Sequence, residues 1–344
     1  MNIWVNLNGN DNWNGQSETY QSFLNGPKQT IANAVISASP GDTIMLLGNA
    51  TYYEHNIFIT KKLYFEIMGT GIGFEQATIN AQGKGWIFNI EEGVTVNLQN
   101  LIFENGAGDQ GGALMGNGNI TINNCTFKNN TVTDVGGAIM NNGTLIVTDS
   151  TFVNNSAVVG GGAINVQGNL TVTGSTFLNN KVTTTDINQS YGGAILINEP
   201  GSAKLKFNRI IGNKAINGSA IYTWGENVDA TLNWWGVTFG DNVAKQISNN
   251  YGGIVNYNPW IVLTISGENF NVEAEFIYDS NGKYHDPSKG LIPYFGSASF
   301  EPTKGSIKDV TNFSQGVASC VCTADCNISA HVDGNYVKMS VPHS

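Results

Sequence analysis

Positive charge is scarce in this chain: only 16 of its 344 residues are lysine or arginine, and Arg209 is the one arginine. Neutralising phosphates needs clustered cations, so no nucleic-acid partner is expected. Charged residues of both signs make up 12 %, with a net charge of −10, about half the charged share of an ordinary soluble protein. Long apolar runs are also missing. No stretch of about 18 hydrophobic residues occurs, which excludes membrane insertion by a helix within this chain. The opening Met1-Asn2-Ile3-Trp4-Val5 has neither a basic nor an apolar leader, so the chain is expected either to begin inside a mature protein, trimmed from a longer natural chain with further domains, or not to be exported by this route. Cysteines are few: Cys125 stands alone, while Cys320, Cys322 and Cys326 cluster. That distribution imposes no disulfide framework.

What is abundant is glycine, at 42 residues, with asparagine and threonine, on a background of 41 % hydrophobic residues that is ample for a core. The glycines fall in a pattern. Gly-Gly-Ala plus an aliphatic residue occurs at Gly111–Leu114, Gly136–Ile139, Gly161–Ile164 and Gly192–Ile195, with a degenerate copy at Gly218–Ile221. Phe-x-Asn-Asn recurs between these copies, at Phe127–Asn130, Phe152–Asn155 and Phe177–Asn180. Two independent motifs therefore share one period of about 25 residues, the signature of a repeat architecture.

Each period holds short β-type runs, such as Ile120-Thr121-Ile122, Leu145-Ile146-Val147 and Leu170-Thr171-Val172, and no helical periodicity. One such repeat cannot bury its apolar side alone, whereas stacked turns of a solenoid cover one another. The predicted fold is all-β: a right-handed parallel β-helix with a short N-terminal capping helix, followed by an immunoglobulin-like β-sandwich. Stacking predicts an aliphatic column through Val147 and Val172, an aromatic one through Phe127, Phe152 and Phe177, and a small-residue one through Cys125, Ser150 and Ser175. Gly and Asn mark the corners, where φ must turn positive. The asparagines are read as structural, and Cys125 as a core thiol.

The predicted division is 1–260 for the β-helix, with 1–42 as cap, 43–236 as coils and 237–260 as closing segment and linker, and 261–344 for the sandwich. Pro27 is expected at the start of the capping helix, which runs to Ile36. Trp234 and Trp235 are expected to form a lid on the open end of the core. Beyond Pro259 the period disappears, and Asn271–Tyr278 alternates with period two before a turn at Asp279–Gly282, as in an antiparallel sandwich. Cys326 is placed to pair with Cys322 or Cys320 across a hairpin; free thiols, or a zinc site with His331, are the other readings.

The alternation of Gly-Gly-Ala-[Ile/Leu] with Phe-x-x-Asn resembles the repeats of polymorphic outer-membrane proteins. It is still more similar to the adhesin-like surface proteins of methanogenic archaea, from Asn8-Gly9-Asn10-Asp11-Asn12-Trp13 to Asn233-Trp234-Trp235-Gly236. From Asp279-Ser280-Asn281-Gly282 to His331-Val332-Asp333-Gly334 the chain resembles bacterial immunoglobulin-like, invasin-type modules. Phe103-Glu104-Asn105 departs from the pattern by carrying its asparagine one position early. The resemblance implies an extracellular, cell-surface protein whose partner is a cell-wall, host or partner-cell glycan or protein.

Insertions in solenoids commonly carry binding, and the segment between Asn180 and Gly192 is longer than its counterparts. Thr183, Thr184, Thr185, Asp186, Asn188 and Gln189 are the candidate binding residues. No catalytic residue, metal ligand or cofactor is assigned, although Asp109 and Asp134 fall one coil apart, where a calcium ion could lie. The alternatives to an adhesin are a structural envelope or spacer subunit, and a polysaccharide lyase or glycoside hydrolase on the same scaffold. Either enzyme would need clustered carboxylates, and within the repeats the main acids are Asp109, Asp134, Asp149 and Asp186. Asn-x-Ser/Thr triplets, as at Asn129 and Asn154, are either glycan acceptors or the chance product of composition.

Overall fold

The computed structural model describes residues 1–68, 75–225, 227–237, 240–268, 271–293, 297–302, 309–321 and 326–341. Its first part is a solenoid of parallel sheets. A ten-stranded sheet begins at Asn2–Val5 and ends at Val255–Asn256. An eight-stranded sheet holds the strands that follow each Gly-Gly-Ala, a seven-stranded sheet holds the phenylalanines, and a small four-stranded sheet lies between them. Strand Asn119–Asn123 pairs in parallel with Leu145–Thr148, which pairs with Asn169–Thr173, each exchange one coil on.

The predicted columns are present. Phe103, Phe127, Phe152 and Phe177 are fully buried and stack with ring centroids 4.9, 4.8 and 4.8 Å apart and planes within 7°. The strand spacing of a sheet sets that distance, and each buried ring is worth roughly 1.5–3 kcal/mol. Ile122, Val147, Val172 and Leu205 form the aliphatic column. Cys125, Ser150 and Ser175 form the third, the Cys125 N–H donating to Ser150 Oγ and the Ser150 N–H to Ser175 Oγ. Burial pushes the Cys125 thiol up to about 12, so it is a core group and not a nucleophile.

The two asparagines of Phe-x-Asn-Asn do different work. Asn129, Asn154 and Asn179 turn the corner at φ 57°, 56° and 55°. Asn130, Asn155 and Asn180 are fully buried and form a ladder, each Nδ2 donating to the Oδ1 of the next coil's asparagine at 2.9–3.0 Å and ending on Asn213. Each also donates to the phenylalanine carbonyl of the preceding coil, satisfying both amide protons in a low-dielectric interior. The apparent departure at Phe103-Glu104-Asn105 is resolved by this register. Asn105, at φ 55°, is the corner residue, and Gly106 stands in the ladder position, its N–H donating to Asn130 Oδ1. The glycine pairs divide likewise: Gly136 has φ 70°, whereas a Cβ on Gly137 would lie 2.1 Å from the Gly162 carbonyl oxygen.

The N-terminal end differs from expectation. The helix is Ile31–Ser37, started by Thr30, whose hydroxyl accepts from the Asn33 N–H, and not by Pro27. Asp11 and Glu54 accept the backbone N–H groups of Gln29 to Ala32, satisfying donors that a helix start leaves open. Ile31, Ala34 and Val35 cover the first coil. At the other end the pairing continues past Gly236 to Ile247–Asn250 and Val255–Asn256, and the short helix Gly240–Ala244 buries Val243.

After Pro259 come two antiparallel sheets, consistent with a sandwich. One orders strands 261–268, 271–279 and 317–321; the other orders 309–312, 297–302, 326–332 and 335–341. They share a core through Val272, Phe276, Phe300 and Ala330. The last hairpin turns at Asp333-Gly334, both at positive φ (53° and 77°), as a two-residue turn requires.

Candidate functional site

Trp234 and Trp235 face opposite ways, because neighbouring residues in a strand do. Trp235 points into the solenoid core, as a lid would. Trp234 points out and belongs to the sandwich core, 4.9 Å from Phe276. Its indole N–H donates to Asp333 Oδ2 at 2.9 Å, and the same carboxylate takes Arg209 through Nε and Nη2. This clamp ties the solenoid to the sandwich.

The insertion forms an exposed loop that runs directly into the Gly192-Gly193 corner. Thr183 and Thr184 donate their N–H groups to the Ala157 and Val158 carbonyls, prolonging the small sheet. Asp186 caps a short 3₁₀ turn at Ile187–Gln189, its carboxylate accepting from the Asn188 N–H. Thr183, Thr185, Asp186, Asn188 and Gln189 are exposed and Thr184 half-buried, so all six candidate residues lie on one surface segment.

That segment leads into residues which the sequence reading missed. Tyr191, whose hydroxyl donates to the Asn188 carbonyl, lies 4.7 Å from Tyr222 and 5.0 Å from Trp224, and Trp224 stacks on Tyr251 at 5.7 Å. Tyr222 and Trp224 alternate along the strand with Ile221 and Thr223 and lie on the outer face of the eight-stranded sheet, where Tyr222 is covered by its aromatic neighbours and Trp224 is half-buried. Tyr251 is 77 % exposed. Their alternation with buried residues was the available signal, but only coil stacking brings Tyr191 and Tyr251 to them.

A second aromatic group sits near the other end of the same face. Trp86 meets Phe58 edge-on at 4.9 Å and lines an open groove of about 600 Å³ with Asp109, Gln110, Met115, Thr133 and Asp134. Asp109 accepts from the Thr133 hydroxyl and Asp134 from the Gln110 amide. Both acids on which calcium was considered are thus tied to neighbouring side chains, and among the described residues no group of three or more His, Cys, Asp or Glu could hold a metal. Asp149 turns a corner at φ 49°. Cys320 is buried; Cys322 and the side chain of Cys326 lie outside the described residues, and with them the disulfide.

A model of the right-handed β-helix region matches residues 23–177 and, in a second overlapping span, 87–235, more than half of the chain. The chain belongs to the right-handed β-helix family. No curated protein and no solved structure matches it. β-Helix domains serve surface proteins, adhesins and polysaccharide-active enzymes alike, so the function must be argued from the site. In this β-helix the ladder asparagines are buried and cannot meet a ligand, whereas the loop, Tyr191, Trp224 and Tyr251 can.

Proposed function

We propose that this β-helix is a cell-surface, adhesin-like module that binds glycans with the aromatic patch and its adjoining loop. The observation that carries this is the convergence of Tyr191, Tyr222, Trp224 and Tyr251 beside an exposed segment rich in hydroxyl and amide groups. Ring faces accept the C–H face of a pyranose, and the Thr, Asn and Gln groups suit its hydroxyls; a few placed polar groups beside apolar area is how small-ligand sites reach specificity. The acids that a lyase or hydrolase would need are each read as structural, so the module binds without cleaving. A glycan and cell-wall array tests this: Trp224→Ala should abolish capture, and release of reducing or unsaturated sugar would overturn the non-catalytic reading. If capture survives deletion of residues 184–189, the loop has no part in it.

A spacer within an envelope is the second reading, favoured by the Arg209–Asp333–Trp234 clamp that ties the solenoid to the sandwich. A monomer with high-affinity glycan binding would count against it.

A further inference from the structure

Two rows of outward side chains run along the β-helix axis between the aromatic groups. In register across the eight-stranded sheet, Asn89, Met115, Met140, Asn165 and Leu196 lead from Phe58 to Tyr222, but Asn165, Leu196 and Tyr222 are buried, so this row is open only from Phe58 to Met140 and the amide row beside it carries the rest of the face. One alternation further along each strand, Asn117, Asn142, Gln167 and Asn198 form a row of side-chain amides that ends on Trp224. Asn142 Nδ2 donates to Asn117 Oδ1 at 2.7 Å and Asn198 Nδ2 to Asn165 Oδ1 at 2.9 Å. Such pairing fixes the amide planes and leaves further donors and acceptors outward. Asn117, Asn142 and Gln167 are exposed.

We infer that this face holds one extended, uncharged polysaccharide lying along the axis from Trp86 to Trp224. The inference rests on the glycan-binding reading above and specifies its ligand. Five coil steps separate the strand Phe88–Ile90, which Trp86 precedes, from the strand that carries Trp224, roughly 24 Å at the inter-strand spacing, a span of roughly five to six sugar rings. An extended hexose chain advances by nearly one coil per ring, so each ring meets the next amide of the row. The aromatic groups at the two ends hold the chain by its apolar faces. Charge selects the class: the two rows contain no lysine or arginine, Asp109 and Asp134 border the groove, and the chain carries −10. A polyuronate would be repelled.

The test is titration calorimetry of the full chain with neutral oligosaccharide series (cello-, xylo-, manno- and chito-oligomers) of two to eight units, and with oligogalacturonates and alginate oligomers. For at least one neutral series, affinity should rise about tenfold or more from trimer to hexamer and then level off. Trp86→Ala should flatten that rise, and Gln167→Ala, which alters only an exposed amide, should weaken hexamer binding about threefold or more, with thermal midpoints unchanged. Affinity that levels off at two or three units and ignores both substitutions overturns the axial path while leaving the patch as a glycan site. Tighter binding of the uronates overturns the choice of class. If no saccharide binds in any series, the glycan reading itself falls.

Discussion

The middle coils and the last coils obey different rules, and the contrast shows how a repeat should be read. From Asn100 through Asn124, Asp149 and Gly174, the first corner is turned by residues that tolerate positive φ (59°, 48°, 49° and 61°). One and two coils later the same corner is turned by Phe207 and Leu232, at 56° and 61°. Bulky side chains pay strain there, and the sandwich offsets it. Phe207 packs at 6.1 Å on His285 and so closely on Gly290 that a Cβ there would lie 2.4 Å from its ring. The outward column behaves likewise, running Thr126, Thr151, Thr176 and then Arg209 and Trp234, the two residues that Asp333 clamps. Residues that repeat report the interior; residues that break the repeat report what leans on it.

The largest effect should come from breaking the interior side of that contrast. Phe152→Ala removes the ring between Phe127 and Phe177 and leaves a void that neighbouring coils cannot close, costing about 3–5 kcal/mol. Urea denaturation followed by circular dichroism should show it, and a loss under about 1 kcal/mol would mean that the stack does not hold the rod.

Asp333→Ala attacks the other side. It leaves the Arg209 guanidinium and the Trp234 N–H in an interface where Arg209 and Asp333 side chains are only 12 % and 8 % exposed, a loss of about 3 kcal/mol. The damage should be local. Hydrogen exchange should accelerate at Trp234 and in the sandwich, with protection of 120–180 retained; loosening of both regions together would refute the division.

The solenoid was legible because each core position is written four or five times, so the Phe column, the small-residue column and the glycine corners could be read from period alone. Outward positions carry no such redundancy. Tyr191, Tyr222, Trp224 and Tyr251 each occur once, and only the stacking of successive coils brings them together. Trp234 was read as half of a lid because its neighbour Trp235 is one; strand alternation could have separated them, but the sandwich that covers Trp234 has no repeat to announce it. The start of the capping helix was misplaced for a different reason. Asp11 and Glu54, distant in sequence, supply the acceptors that Pro27 seemed to make unnecessary.

Even the interior has one exception to the rule that repetition means packing. Asn141 is fully buried, pointing inward in register with Gly116 and Val166, and neither atom of its amide has a hydrogen-bond partner. An unsatisfied amide in apolar surroundings costs folding energy. Asn141→Val copies the next coil and should stabilise the protein by about 1–2 kcal/mol, read as a higher urea midpoint with an unchanged slope. A lower midpoint would mean that the amide is satisfied in solution.

The smallest effect separates the regions by pH. The buried polar groups of the middle coils are mostly neutral amides and hydroxyls, whereas the sandwich buries Glu275 and Asp279. Burial pushes the Glu275 carboxyl up, against hydrogen bonds from Ser266 and Thr264 that pull it down. For Asp279 burial acts in the same upward sense, but hydrogen bonds from His285 and the Lys283 and Asn281 N–H groups outweigh it and hold the carboxyl low. The signs are opposite. Asp279 stabilises above the ordinary carboxylate range and loses that contribution as pH falls through its lowered pKa. Glu275 binds its proton more tightly folded than unfolded, so its ionised form costs stability near neutrality and the cost vanishes on acidification. Glu275→Gln should therefore stabilise the sandwich at pH 7 by about 1 kcal/mol or less, with the advantage shrinking as pH falls through the carboxylate range. Denaturation midpoints of both proteins across that range decide it: an advantage independent of pH would trace to packing, and none at pH 7 would mean that the carboxylate stays hydrated.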